Sequence, residues 1–151
     1  MISMKDYSFK YDGCESYALS DINLTIEDSS LFIVTGLSGS GKSTILEAIA
    51  GIVPYCAAGE QSGLIMLDGE DISDCEPVRR AARIGYIGED IMSQMVCAKV
   101  EDEIRFGLEN LGICAKDVEK RAKAAMETLG ITSLAKRTIS FLSGGQRQRT
   151  A

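Results

Sequence analysis

The sequence predicts an α/β fold in which a glycine-rich loop links a buried strand to an amphipathic helix. Three observations predict it. LFIVT (residues 31–35) is a short, continuous apolar run rich in β-formers, as a strand covered on both faces requires. It leads directly into GLSGSGKST (residues 36–44) and then into a helical pattern that Gly51 and Pro54 close. The segments before it alternate apolar and polar residues, as half-buried strands do.

Taken in order, YSFKY (7–11) and DINLTI (21–26) are the alternating strands, with Asp12-Gly13 as turn chemistry between them. After the glycine-rich loop, Ile45, Leu46, Ile49, Ile52 and Val53 are expected on one side of the helix. SGLIMLDGEDI predicts a further strand and a hairpin turn at Asp68-Gly69, with Asp71-Ile72 on the return. Residues 84–87 read as a second buried strand. From Val100 onward the pattern is helical. In KDVEKRAKAAMETLG the residues Val118, Ala122, Ala125, Met126 and Leu129 form one stripe, and Gly130 stops the helix. The layout is an antiparallel β edge and α/β core over about 1–90, a helical segment over about 91–143, and the start of another helix over 143–151. This is expected to be one domain.

Composition narrows the functional classes. A chain of 151 residues, 45% hydrophobic and 25% charged, suits one globular core. A net charge of −6 argues against a nucleic-acid partner. It leaves open a small anionic ligand, which a cluster of backbone N–H groups binds whatever the net charge. There is no histidine, so no histidine-dependent triad lies in this chain. Cys14, Cys56, Cys75, Cys97 and Cys114 are dispersed without a C-x-x-C pair, so zinc-type spacing is absent. They are expected to act as small buried hydrophobes in a reducing interior. No apolar run approaches the length of a bilayer span, and the first residues are too polar for a signal peptide.

Gly36, Leu37, Ser38, Gly39, Ser40, Gly41, Lys42 and Ser43 satisfy G-x-x-x-x-G-K-[ST], the pattern of a phosphate-binding loop. Its glycines let successive N–H groups turn toward one anion, and the helix that follows adds its positive end. Lys42 is expected at the β- and γ-phosphates, the Ser43 hydroxyl on Mg²⁺, and Thr44 at the α-phosphate. At the other end of the chain, Ser143 in LSGGQRQR is a good helix N-cap, and Gly144 and Gly145 leave the mouth of that helix open.

GLSGSGKST and LSGGQRQR in this order resemble the Walker A loop and the signature motif of ABC-type ATPases, over essentially the whole chain. GIVPYCAAGEQSGLIMLDGEDI and MVCAKVEDEIRFGLENLGI resemble the ATPases of energy-coupling-factor importers. The resemblance implies a P-loop NTPase core with an antiparallel β subdomain and an α-helical signature subdomain, and ATP and Mg²⁺ as ligands. It implies that Tyr11 stacks on adenine, and that Ser143, Gly144, Gly145 and Gln146 meet the ATP held by a second ATP-binding protomer. Arg147 and Arg149 are left packing or solvated roles. A transmembrane transporter subunit is the implied partner, which puts the protein in the cytoplasm, peripheral to the inner face of the cell membrane.

The pattern departs from the family at one place. An ungapped match puts Glu89 where the family has the glutamine of its glutamine loop, at the metal; Gln94 matches a separate glutamine. The family's Walker B aspartate, catalytic glutamate and switch histidine have no counterpart in residues 1–151. The expectation is therefore the front portion of such a domain, stopping before Walker B and without turnover in isolation. The alternatives are a non-catalytic fragment that binds nucleotide weakly and a soluble ABC-type ATPase.

Overall fold

Strand β1 (Ile2–Tyr11) is the spine of an antiparallel sheet in the computed structural model, which describes residues 1–151. It pairs on one side with β2 (Leu19–Ile26) and on the other with β3 (Gly59–Leu67), and a two-residue β4 (Glu70–Asp71) completes the order β2-β1-β3-β4. Met4, Tyr7 and Phe9 of β1 are all buried. Met4 and Tyr7 are three residues apart, which strict alternation would send to opposite faces. A bulge resolves this: the register shifts between Met4 and Tyr7 against β2 and between Lys5 and Ser8 against β3, around Asp6 with φ 50°. Gly63 of β3 faces the bulge with φ 83°, and a Cβ there would lie 2.3 Å from the Asp6 carbonyl oxygen. The Asp68-Gly69 turn has φ 53° and 83°, the left-handed pair that suits a two-residue hairpin, with Leu67 opposite Glu70.

Helix α1 (Lys42–Ala50) lays Thr44, Ala48 and Ile49 into the core, where they join Tyr7, Phe9 and Ile65. Gly51 closes the helix at φ 80°. Leu46, expected on the apolar side, is 49% exposed. It lies two residues from both Thr44 and Ala48, and steps of about 100° put it on the opposite face. A short helix, α2 (Pro77–Ala81), carries Arg80 into the core at 1% exposure. Its guanidinium donates to the carbonyls of Ala48, Ile49, Ile72, Ser73 and Cys75.

These elements belong to one compact unit, Met1–Tyr86; the second is Ile87–Ala151. There Asp90 caps α3 (Ile91–Gln94) by accepting from the backbone of Met92 at 3.0 Å. α4 (Val100–Asn110) and α5 (Ala115–Thr128) follow, then 3-10 turns at Thr132–Leu134 and Ile139–Phe141, and finally α6 (Gly144–Thr150). The core of this unit is built from Val100, Ile131, Leu134, Ile139 and Leu142. Val118 and Ala122 of the α5 stripe are buried, whereas Leu129 at its end is 43% exposed. Gly130 takes φ 63°, as expected of a helix stop.

Three expectations are corrected. Residues 31–35 and 84–87 are in neither helix nor strand. A central strand exists only through ladder bonds to neighbours, and the four strands of this sheet leave both segments without one. Leu31, Phe32 and Ile33 are consequently 87%, 48% and 69% exposed. The cysteines are also not fully buried: Cys14, Cys56 and Cys114 are exposed, Cys75 and Cys97 are half-buried with Cys75 packed against the core, and all five are free thiols. They fall after a turn, beyond α1 and at the start of α5, positions that face solvent. No helix is long and apolar enough to cross a membrane.

The exposed run carries a direct consequence. Unpaired apolar strand sequence is a template for association, so the 151-residue chain is expected to self-associate at micromolar concentration. Ile33→Lys should shift it toward monomer in sedimentation velocity. A wild-type chain that sediments as a single monomer across that range would refute this.

Candidate functional site

The glycine-rich loop is shaped by backbone that only glycine adopts readily. Gly39 has φ 79° and Gly41 φ 86°. Gly41 is also a close approach: a Cβ there would lie 2.6 Å from the Ala18 carbonyl oxygen and 2.9 Å from Leu19 Cδ2. The loop thereby delivers the chain into α1 with Gly41 as the left-handed N-cap. No side chain caps this end, so the first-turn N–H groups keep their capacity for an outside acceptor. Gly36 and Ser40 close the other side of the loop, where a Cβ on Gly36 would meet Ser40 Oγ at 2.8 Å.

Lys42 opens α1 and folds back over the loop. Its Nζ donates to the Leu37 carbonyl at 2.6 Å and approaches Ser40 Oγ at 3.5 Å. The structure thus gathers the loop backbone, one ammonium and the helix N-terminus in one place. Ser38, Gly39, Ser40 and Ser43 are exposed there, and the Ser43 hydroxyl makes no hydrogen bond within the chain. This set fits a polyphosphate with its metal: uncapped N–H donors, a cation free to change partner, and an open hydroxyl ligand.

Tyr11, at the end of β1, is brought to the same helix. Its hydroxyl lies 3.1 Å from Thr44 Oγ1 and 3.2 Å from Glu47 Oε2. Its ring meets Phe9 edge-on, with centroids 4.8 Å apart, and is half-buried. Burial is the largest cause that raises its phenol above the ordinary tyrosine value; the Thr44 hydrogen bond lowers it and Glu47 raises it. Tyr86 is raised by burial first, then by Glu47 and Tyr11. Nothing in the sequence singled out Glu47, because a glutamate in mid-helix reads as a solvated side chain. Its only clue is one turn of separation from Ser43 and Thr44.

In the second unit, Ser143 caps α6 within a reciprocal pair. Its Oγ accepts from the Gln146 backbone N–H at 3.3 Å, and the Gln146 side chain accepts from the Ser143 N–H at 3.0 Å. Gly144 and Gly145 are exposed, with nothing within 4 Å of where a Cβ would stand. Arg147 reaches the Met92 sulfur at 3.5 Å, and Arg149 reaches the Gly145 carbonyl at 3.4 Å. Glu89 is exposed and makes no side-chain hydrogen bond, whereas Gln94 accepts from the Gly88 N–H at 2.9 Å and is committed to its own loop.

Comparison with known proteins agrees with this geometry. The family model described as ABC transporter matches residues 19–151. The chain is 36% identical over 150 residues to the energy-coupling factor transporter ATP-binding protein EcfA1 of Thermotoga maritima, covering 99% of this chain and 54% of that one. Among solved structures, CbiO1 of Clostridium perfringens, part of the ABC transporter complex cbiONQ, superposes with a TM-score of 0.80 at 26% identity. It covers 99% of this chain and 58% of that one. The dimeric structure of MJ0796, a bacterial ABC transporter cassette, gives 0.80 at 27% identity, covering 99% and 66%. The chain spans about a quarter to about half the length of the curated relatives it matches. With its glycine-rich loop at the head of α1, its capped LSGGQ segment and a family match over residues 19–151, the chain belongs to the ATP-binding proteins of the ABC transporter family.

Proposed function

We propose that these residues are the ATP-binding front of one ABC-type domain whose complete protein couples ATP hydrolysis to import through a transmembrane partner. The observation that carries the reading is the loop itself: positive-φ glycines, an uncapped helix N-terminus and Lys42 folded over them. Backbone N–H groups from Gly36, Ser38, Gly39, Ser40 and Gly41 line the phosphate cradle, and Lys42 supplies a point charge at the β- and γ-phosphates. Ser43 ligates Mg²⁺, which when bound neutralises charge on the phosphate oxygens. Thr44 adds an α-phosphate contact through its backbone N–H, and Tyr11 offers its ring to adenine. Ser143, Gly144, Gly145 and Gln146 face the ATP of a second protomer, as α6 with its open glycine mouth allows. The importer reading is supported by the energy-coupling-factor and CbiO1 relatives. It places the protein on the cytoplasmic face of a membrane through its partner.

Equilibrium titration with a fluorescent ATP analogue tests the binding step. Saturable, ATP-competed binding that strengthens with Mg²⁺ is expected; its absence would remove the reading. Glu89 takes the glutamine-loop position in this proposal. Glu89→Gln is then expected to change the Mg²⁺ dependence of binding, since a carboxylate binds the cation but also repels phosphate. Superimposable metal titrations for the two forms would take Glu89 out of the metal site.

A further inference from the structure

We infer that Glu47 is a positioning residue for adenine recognition, acting through Tyr11. The inference rests on the reading of Tyr11 as the adenine platform and names what holds that platform in place. Three contacts restrain the ring: Phe9 along one edge, and Thr44 Oγ1 and Glu47 Oε2 at the hydroxyl. The direction of the last two follows from proton counting. An ionised carboxylate only accepts, so the single Tyr11 proton goes to Glu47. The Tyr11 oxygen is then left to accept, and Thr44 donates to it. Glu47 thereby orders a chain that runs from Thr44 to Tyr11 to Glu47, with both ends on α1, the helix that opens at the phosphate loop.

Two consequences follow for the ligand. The ring is held on α1 before any nucleotide arrives, so less side-chain freedom is lost on stacking. The Thr44 hydroxyl spends its one proton on Tyr11, so Thr44 keeps only its backbone N–H for the phosphates. The part of the nucleotide that senses Glu47 is the base, because the Glu47 carboxylate holds the ring's hydroxyl and makes no hydrogen bond to the loop. A ligand with phosphates and no base is indifferent to it.

Calorimetric titration of the 151-residue chain with Mg-ATP and with inorganic tripolyphosphate separates these effects. Glu47→Ala is expected to weaken ATP binding by about three- to tenfold, the scale of freeing one side chain, and to leave tripolyphosphate affinity at the wild-type value. Glu47→Gln keeps an acceptor oxygen for the Tyr11 hydroxyl and should restore ATP affinity. In a Tyr11→Phe background, Glu47→Ala should add nothing. Equal weakening toward both ligands would mean a general effect on α1, and unchanged ATP affinity would mean no effect on the platform; either overturns the inference. Tyr11→Ala supplies the separate control. If it leaves the ATP-to-tripolyphosphate ratio unchanged, the adenine-platform reading fails and the role of Glu47 fails with it. If Tyr11→Ala loses ATP selectively and Glu47→Ala does not, only the role of Glu47 falls.

Discussion

Lys42→Ala is expected to remove measurable ATP binding from this chain. In the structure the Lys42 ammonium is held by the loop's own Leu37 carbonyl at 2.6 Å and Ser40 Oγ at 3.5 Å, which leaves a third donor. A charge-assisted hydrogen bond contributes about 1.5–3 kcal/mol. Contacts to two phosphates together therefore exceed about a hundredfold in affinity. The backbone N–H groups of the loop remain in the variant, but they carry partial charges where the ammonium carries a full one. Folding should be almost unaffected, because the carbonyl that Lys42 releases is exposed and passes to water. A fluorescent-analogue titration beside a urea melt separates the two effects. An affinity like that of the wild type would sink the phosphate-loop assignment.

Arg80→Ala is expected to cost at least about 3 kcal/mol of stability, a large share of the ~5–15 kcal/mol typical of a domain. Arg80 is fully buried and its guanidinium serves five carbonyls. The bonds to Ala48, Ser73 and Cys75 measure 2.6, 2.8 and 3.0 Å, that to Ile49 is 3.3 Å, and Ile72 completes the set. Ala48 and Ile49 lie in the last turn of α1, where the dipole is negative and the Ala48 carbonyl otherwise accepts only from the Gly51 N–H, at 3.2 Å. The guanidinium therefore satisfies the end of the phosphate-loop helix and the chain after β4 at once. Burial lowers its pKa from the usual arginine value, yet the planar fork matches the carbonyls and no carboxylate shares them. Arg80→Lys keeps the charge without the fork and should recover only part of the loss. The site is crowded as well: a Cβ on Gly51 would come within 2.7 Å of Arg80 Cδ. Urea denaturation measures the cost, and a loss below about 1 kcal/mol for Arg80→Ala would contradict this role.

What the sequence determined by itself is what neighbouring residues settle among themselves. The loop at Gly36 to Ser43, the helix it opens, the Asp68-Gly69 turn, the glycine stop at Gly130 and the Ser143 cap all depend on contacts within a few positions. Each was legible as a spacing or a propensity. The tertiary structure decided whatever depends on distant partners. Residues 31–35 have the composition of a central strand, but composition supplies no ladder partner, and here their apolar side chains face solvent. The bulge at Asp6 exists because Gly63, far along the chain, lets β3 approach it. Arg80 is buried only because carbonyls from α1 and from residues 72–75 converge on it. Tyr11 meets Glu47 only because β1 packs on α1. Propensity is local and periodic, whereas burial and hydrogen-bond satisfaction are settled by whichever groups the fold brings within about 3 Å.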